Sequence, residues 1–93
     1  MTPKSFDVLA IGRVGVDLYP MQTGVGLEDV DTFGKFLGGS AGNVAVAAAR
    51  YGQSTALISR TGDDPFGAFV RRRLAELGVD TEFVRADPDL PTP

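Results

Sequence analysis

The chain has 93 residues, a formal net charge of −3 at pH 7, and neither cysteine nor histidine. This charge gives no support to binding of nucleic acid or of an anionic membrane surface. The lack of cysteine excludes disulfides and thiolate metal sites within these residues, and the lack of histidine removes the most frequent catalytic base and metal ligand. The apolar content of 43% and charged content of 23% are typical of one small globular domain.

The opening of the chain has no recognisable targeting segment. No stretch approaches the run of about 18 apolar residues that a membrane-spanning helix needs, and the first apolar run is too short for a signal peptide. A cytoplasmic protein is therefore predicted. Residues 87–93 form a turn-prone tract rich in proline and aspartate, which predicts a domain that continues beyond them.

The first part of the chain has the pattern of three strands. Residues 6–11 form a short, mostly apolar run, which predicts a strand buried on both faces. Residues 14–19 alternate between apolar and polar side chains and predict a more exposed strand that Pro20 ends. Residues 22–31 have the glycines and acids of a loop, and residues 32–37 are expected to return as an antiparallel strand.

A glycine-rich turn then leads into an alanine-rich helix. Residues 34–42 include four glycines, which is more than a simple chain reversal needs. Glycines let a second backbone or a ligand approach closely. The helix is predicted over residues 43–51, with Gly52 just past its end. Because it is apolar on every side, it is expected to be buried. Residues 54–59 predict a second buried strand, parallel to the first through a right-handed crossover.

A second helix is predicted after Asp64, which can cap it, with Pro65 in the first helical position. Gly78 is expected to end this helix, and residues 81–85 predict a third strand. The apolar face of the helix has members at helical spacing: Phe66, Phe69, Val70, Leu74 and Leu77.

Three successive arginines on this helix could be read as a nucleic-acid site. Successive residues spread around a helix, however, so Arg71 and Arg72 are predicted on the solvent-exposed face. Glu76 lies at ion-pair spacing from Arg72. The arginines are therefore interpreted as structural surface residues.

These elements predict an α/β fold with a parallel βαβ core, in which ligands bind at the carboxyl ends of the strands. Residues 12–17, the turn at residues 38–43 and Gly62 with Asp63 are expected to meet there. The Asp17 carboxylate can accept two hydroxyl donors of a sugar, and the Asn43 carboxamide can both donate and accept. The alternatives are a solvated strand residue for Asp17 and a helix N-cap for Asn43, and spacing alone leaves both readings open.

Two phosphate-binding motifs are missing. A P-loop requires Gly-Lys followed by Ser or Thr, but Gly34 and Lys35 are followed by Phe36. A dinucleotide site requires a G-x-G-x-x-G turn directly after the first strand, and the glycine-rich turn comes more than twenty residues later. Asp63 and Asp64 could hold a metal ion, but a turn and a helix cap explain both without one.

Residues 38–62 resemble the N-terminal signature of the ribokinase-like (phosphofructokinase-B) carbohydrate kinases. The likeness rests on the Gly38-Gly39 turn, on Asn43 followed two residues later by Ala45, and on two glycines at the expected spacings, Gly52 and Gly62. It extends from residue 6 to about residue 84. The segments 12–20 and 32–40 carry a closer likeness to one sugar-acid kinase of the family.

The resemblance implies that residues 1–93 are the N-terminal fragment of a single ribokinase-like kinase domain. A small antiparallel β-sheet, at about residues 16–37, would form a lid over the sugar and often forms the dimer contact in the family. The implied activity is ATP-dependent phosphorylation of a hydroxyl of a sugar or sugar acid. ATP and Mg²⁺ are the implied cofactors, with binding residues outside this chain.

Asp17, Gly39 and Asn43 match the acceptor-binding positions of the family. Nothing matches the family's catalytic base, the aspartate of a Gly-x-Gly-Asp motif, so no catalytic residue is predicted here. Gly15 stands where these chains often have asparagine, which leaves the exact sugar open. The alternatives are a kinase for a different sugar or a nucleoside, and a non-catalytic sugar-binding fragment. A nucleotide-binding α/β domain is disfavoured by the missing phosphate motifs.

A sugar acid also needs a cation for its carboxylate, and a guanidinium suits this best. Arg13 follows the first buried strand and Arg60 ends the second buried strand, so both are candidates for binding this carboxylate. Lys35 of the lid is a third candidate. Surface solvation is the alternative for each. The chain by itself is expected to be catalytically silent and to expose apolar surface, because only two helices are available to cover its strands.

Overall fold

The computed structural model describes residues 5–93. Its elements, in chain order, are β1 (Val8–Ile11), β2 (Gly15–Pro20), a 3-10 helix (Leu27–Asp29), β3 (Phe33–Gly38), α1 (Ser40–Arg50), β4 (Thr55–Gly62), α2 (Pro65–Glu76), β5 (Val79–Asp80) and β6 (Val84–Asp87). Within the described range, no helix is long and apolar enough to cross a membrane.

The main sheet is parallel and is centred on β4. Strand β1 pairs with one edge of β4, with Ile11 beside Ile58, and both β5 and β6 pair with the other edge. The predicted parallel βαβ core is thus confirmed. The strand predicted at residues 81–85 is confirmed for Val84 and Arg85, which belong to β6. It is wrong for residues 81–83, which form a turn between β5 and β6, closed by a hydrogen bond from Val84 N to Thr81 O (3.0 Å).

Strands β2 and β3 form a separate antiparallel sheet, which confirms the predicted hairpin. The pairing extends from Gly15 beside Gly38 to Pro20 beside Phe33. At its far end, Met21 N donates to Thr32 O (3.0 Å), and the ladder closes there. Proline at the last paired position of β2 agrees with the predicted strand end.

Both helices cover the same face of the main sheet. Leu57 of β4 is fully buried in one cluster with Ala45 of α1 and with Val70 and Leu74 of α2. Two right-handed crossovers that move in the same direction across a sheet place their helices on one side. The core therefore lies between this face and the two helices.

No helix of residues 5–93 covers the opposite face of the main sheet, so the prediction of strands buried on both faces is wrong for most of its side chains. Leu9 and Ile11 of β1 are 49% and 73% exposed, and Ile58 of β4 is 37% exposed. Helix α1 is also not buried on all sides, since Val44 is 54% exposed. The expectation that the chain exposes apolar surface is confirmed.

Helix α1 begins three residues before its predicted start. Gly39 is its N-cap, and Asn43 N already donates to Gly39 O (3.0 Å) within the helix. The alternative reading of Asn43 as the N-cap is therefore wrong, because a glycine with a positive φ of 91° starts the helix earlier than a polar cap would. The predicted end is confirmed by Gly52, with φ of 83°.

Helix α2 follows the sequence prediction closely. The Asp64 side chain accepts a hydrogen bond from Gly67 N (2.7 Å) as N-cap, and Glu76 pairs with Arg72 at 3.9 Å. Arg71 departs from the prediction of a solvent-exposed side chain. It is only partly exposed, because its guanidinium donates to Thr61 Oγ1 at the end of β4.

The last residues, expected only as a turn-prone tract, are bound to three parts of the fold. Thr92 Oγ1 donates to Asp64 Oδ1 (2.6 Å) and Thr92 N to Asp64 Oδ2 (3.0 Å). The same hydroxyl accepts from Gly62 N (2.9 Å). Pro93 O accepts from Val16 N of β2 (3.0 Å). The end of the described chain thus joins α2, β4 and β2.

These bonds lower the pKa of Asp64 below its ordinary value, through the Thr92 hydroxyl first, then the Thr92 and Gly67 N–H groups. A carboxyl with a lowered folded-state pKa contributes stability above its unfolded pKa of about 4. That contribution is lost as pH falls through the folded-state pKa. We expect Asp64→Asn to destabilise the full-length protein at pH 7 and to make a smaller difference near pH 3. Urea unfolding at both pH values measures this, and an equal loss at both would contradict it.

Candidate functional site

The candidate site lies where the segment between β1 and β2 crosses the start of α1. Gly12 N donates to Ile58 O (3.2 Å), and Gly42 N of α1 donates to Arg13 O (3.4 Å). A Cβ at Gly12 would lie 2.9 Å from Ala41 Cβ. Two of the three segments predicted to gather at the carboxyl ends of the strands are thus in direct contact.

At Gly39 the start of α1 and the segment after β1 approach each other most closely. A Cβ added there would press on the Arg13 carbonyl group and lie 2.9 Å from Val14 Cα. The residue also has a φ of 91°, a conformation that side-chain-bearing residues adopt at a cost. Only glycine satisfies both conditions, so the two backbones pack against each other here because of its missing side chain.

Asp17 lies on β2 beside this junction. It is paired with Phe36 of β3, and its carboxylate covers the Cα of Gly38, where any Cβ would collide with it. Asp17 is exposed, and no hydrogen bond or ion pair from residues 5–93 engages its carboxylate. The two oxygens are therefore available to hydroxyl donors.

Asn43 and Lys35 line a cavity of about 420 Å³ between β3, α1 and α2. The Lys35 ammonium lies 4.8 Å from the centroid of the Phe69 ring, a cation–π arrangement. Asn43 is exposed on α1. The lining of this cavity combines one amide and three cationic side chains, Lys35, Arg50 and Arg73, with apolar side chains.

Arg13 and Arg60 line a different cavity, of about 530 Å³, beside the end of β1, the middle of β4 and the start of β6. Arg85 of β6 lines the same cavity, a residue that sequence reasoning missed because the pairing of β4 with β6 is not visible in the chain. Arg60 also forms an ion pair with Asp87 at 3.4 Å.

The sequence-predicted residues therefore fall into two groups, which meet at Gly39. Its carbonyl accepts from Asn43 N, on the side of the first cavity. Its Cα packs against the carbonyl of Arg13, on the side of the second. Asp17 stands beside this junction over Gly38 and lines neither cavity.

The described residues do not fit a Mg²⁺ site. In residues 5–93 no three acidic side chains are grouped closely enough to hold a metal ion. The Asp64 carboxylate is engaged by Gly67 and Thr92, which confirms its capping role. No step of catalysis through a metal ion is assigned to this part of the chain.

Comparison with known proteins gives a consistent picture. The model of the pfkB family carbohydrate kinases matches residues 5–93. A 5-dehydro-2-deoxygluconokinase of Lacticaseibacillus casei is 43% identical over 79 residues, covering 85% of this chain and 24% of the relative. The enzyme of that name from Clostridium tetani is 46% identical over 77 residues, covering 83% of this chain and 23% of the relative. The chain thus spans about a quarter of the length of these curated relatives.

Solved structures agree in fold. An uncharacterized sugar kinase from Pyrococcus horikoshii, in complex with ATP, superposes with a TM-score of 0.83 at 38% identity, covering 90% of this chain and 28% of that chain. A PfkB protein from Polaromonas sp. JS666 superposes with a TM-score of 0.88 at 31% identity, covering 95% of this chain and 30% of that chain. The α/β arrangement with its small antiparallel sheet is therefore that of sugar kinases.

Proposed function

This chain belongs to the pfkB family of carbohydrate kinases, and from that premise we propose that the whole protein phosphorylates a hydroxyl of a sugar or sugar acid with ATP. The preferred acceptor is 5-dehydro-2-deoxygluconate, because similar relatives are named as kinases of that compound. A role in inositol breakdown follows from this choice of acceptor. Residues 1–93 supply the acceptor-binding part.

The observation that carries this proposal is the junction at Gly39. It holds Asp17, an exposed carboxylate, beside the first turns of α1, where Asn43 is also exposed. A carboxylate accepts from two hydroxyls at once, while a carboxamide donates and accepts. A polyhydroxy acceptor matches this combination, and a hydroxyl left without its partner in a closed site costs about 1–3 kcal/mol.

The remaining parts of the kinase are proposed to lie elsewhere in the whole protein. ATP, Mg²⁺ and the catalytic base are assigned to residues outside this chain, since the described part has no metal-ligating cluster. The small sheet of β2 and β3 is proposed as a lid and as the contact of a homodimer, supported by its exposed Leu18, Tyr19 and Phe36. We place the enzyme in the cytoplasm, where ATP is supplied.

The test is phosphoryl transfer by the full-length protein with a panel of acceptors. The panel comprises 5-dehydro-2-deoxygluconate, neutral hexoses and a nucleoside, each with ATP and Mg²⁺. We expect the highest kcat/KM for the sugar acid. A higher value for a hexose or nucleoside would keep the kinase and change its substrate, whereas no transfer to any of them would reject the proposed activity.

The chain of residues 1–93 by itself is expected to transfer no phosphate, because phosphoryl transfer needs positioned phosphates and metal ions besides an acceptor. Purified residues 1–93 and the full-length protein are compared in the same assay at equal concentration. Turnover by the short chain at the rate of the full-length protein would show that the base lies within these residues. Sugar binding without turnover by the full-length protein would instead favour the non-catalytic alternative.

A further inference from the structure

The helix-free face of the main sheet carries two arginines side by side. Arg60 of β4 and Arg85 of β6 are register partners in the parallel pair, and both are exposed. Partners in neighbouring strands lie about 4.8 Å apart along the hydrogen-bonding direction and point to the same face. Like charges placed directly opposite each other destabilise a sheet. This pair therefore leaves an electrostatic cost that a bound anion would relieve.

Arg13 adds a third cation to the same cavity. Of the residues that line it, three are cationic and none is acidic, and the remainder are mostly apolar: Ile11, Gly12, Ile58, Ser59, Phe83 and Pro93. The nearby Asp87 pairs with Arg60 at 3.4 Å, and its other oxygen accepts from Asp89 N (2.8 Å). Of the three guanidinium groups, only that of Arg60 is paired with a carboxylate of residues 5–93, so the three arginines together keep a surplus of positive charge.

We propose that this three-arginine cavity binds the carboxylate of an acid acceptor and so selects sugar acids over neutral sugars. The inference rests on the proposed kinase function and deepens it by naming the residues that recognise the charge. Guanidinium groups bind carboxylates through two parallel hydrogen bonds, and the apolar walls strengthen such bonds by lowering the local dielectric constant. The other cavity also has three cationic side chains, Lys35, Arg50 and Arg73. There, however, Lys35 lies over the Phe69 ring and Arg73 pairs with Glu76 (3.2 Å).

A phosphate group offers the same kind of oxygen acceptors as a carboxylate. The experiments therefore distinguish binding of a carboxylate from binding of a phosphate. In the first, thermal unfolding of the full-length protein is followed with D-gluconate, with D-glucitol and with inorganic phosphate, at equal ionic strength. We expect gluconate to raise the Tm of the protein, and we expect glucitol and inorganic phosphate to leave it unchanged. Arg85→Gln is expected to raise Tm without ligand and to abolish the gluconate effect. Arg72→Gln is the matched control, since Arg72 pairs with Glu76 on α2.

A gluconate effect that survives in Arg85→Gln and in Arg60→Gln would overturn the proposal. So would an increase of Tm with inorganic phosphate that equals or exceeds the increase with gluconate. Thermal unfolding needs no catalysis, and it therefore tests carboxylate binding even if the full-length protein transfers no phosphate.

The second experiment measures the preference for an acid acceptor over its neutral analogue in the full-length kinase. We expect Arg85→Gln to lower the ratio of the two kcat/KM values about 10- to 100-fold, as expected for loss of a hydrogen-bonded charge pair. The KM for ATP should not change. An increase in the KM for ATP with an unchanged acceptor ratio would assign the cavity to nucleotide phosphate and overturn the proposal.

Discussion

Replacing Asp17 by asparagine in the full-length enzyme is expected to lower kcat/KM for the sugar about 100-fold, while the KM for ATP stays the same. The amide keeps the size of the side chain but turns one acceptor into a donor. A sugar hydroxyl then faces an N–H group instead of an oxygen, and a hydrogen bond to a charged partner is lost. Loss of such a bond costs roughly 3 kcal/mol, which corresponds to this change in rate.

The matched control for this variant is Asp29→Asn. Asp29 is also an exposed carboxylate, in the 3-10 helix between β2 and β3, but this loop is at the opposite end of the small sheet from Gly38. Initial rates at varied sugar and at varied ATP separate the two substrates. Equal losses for both substrates in Asp17→Asn, or equal losses in both variants, would contradict the assignment of Asp17 to the acceptor.

Replacing Gly39 by alanine is expected to destabilise the full-length protein by more than about 2 kcal/mol and to weaken sugar binding. The positive φ of 91° alone costs an alanine about 1–2 kcal/mol. The new methyl group would also collide with the Arg13 carbonyl, so the start of α1 must move away from the segment after β1. This movement shifts Asn43 relative to Asp17 and disturbs the acceptor site.

Gly52→Ala separates the two contributions. Gly52 has a similar φ of 83°, but a Cβ there would meet nothing within 4 Å. It is expected to cost only the conformational part, about 1 kcal/mol, and to leave sugar kinetics unchanged. Urea unfolding and kcat/KM are measured for both variants. If the two alanines destabilise the protein equally, the close packing at Arg13 contributes nothing.

The sequence by itself determined the elements that depend on neighbouring residues. Asp64 and Pro65 start α2 as predicted, because the capping bond reaches only three residues along the chain. Gly78 follows the end of α2 with a φ of 91°, as the glycine predicts. The spaced pattern from Gly38 to Gly62 was sufficient to identify the family, since each glycine stands where the backbone turns or packs closely.

The tertiary structure decided everything that depends on residues distant in sequence. Pairing of β4 with β6 placed Arg85 beside Arg60, and the strand register cannot be read from either segment alone. Thr92 binds Asp64, which is 28 residues away in sequence, and no local sequence pattern predicts this contact. Placement of both helices on one face left Ile11 exposed, because an apolar pattern reports that a residue can be buried, whereas the crossovers decide which face is covered.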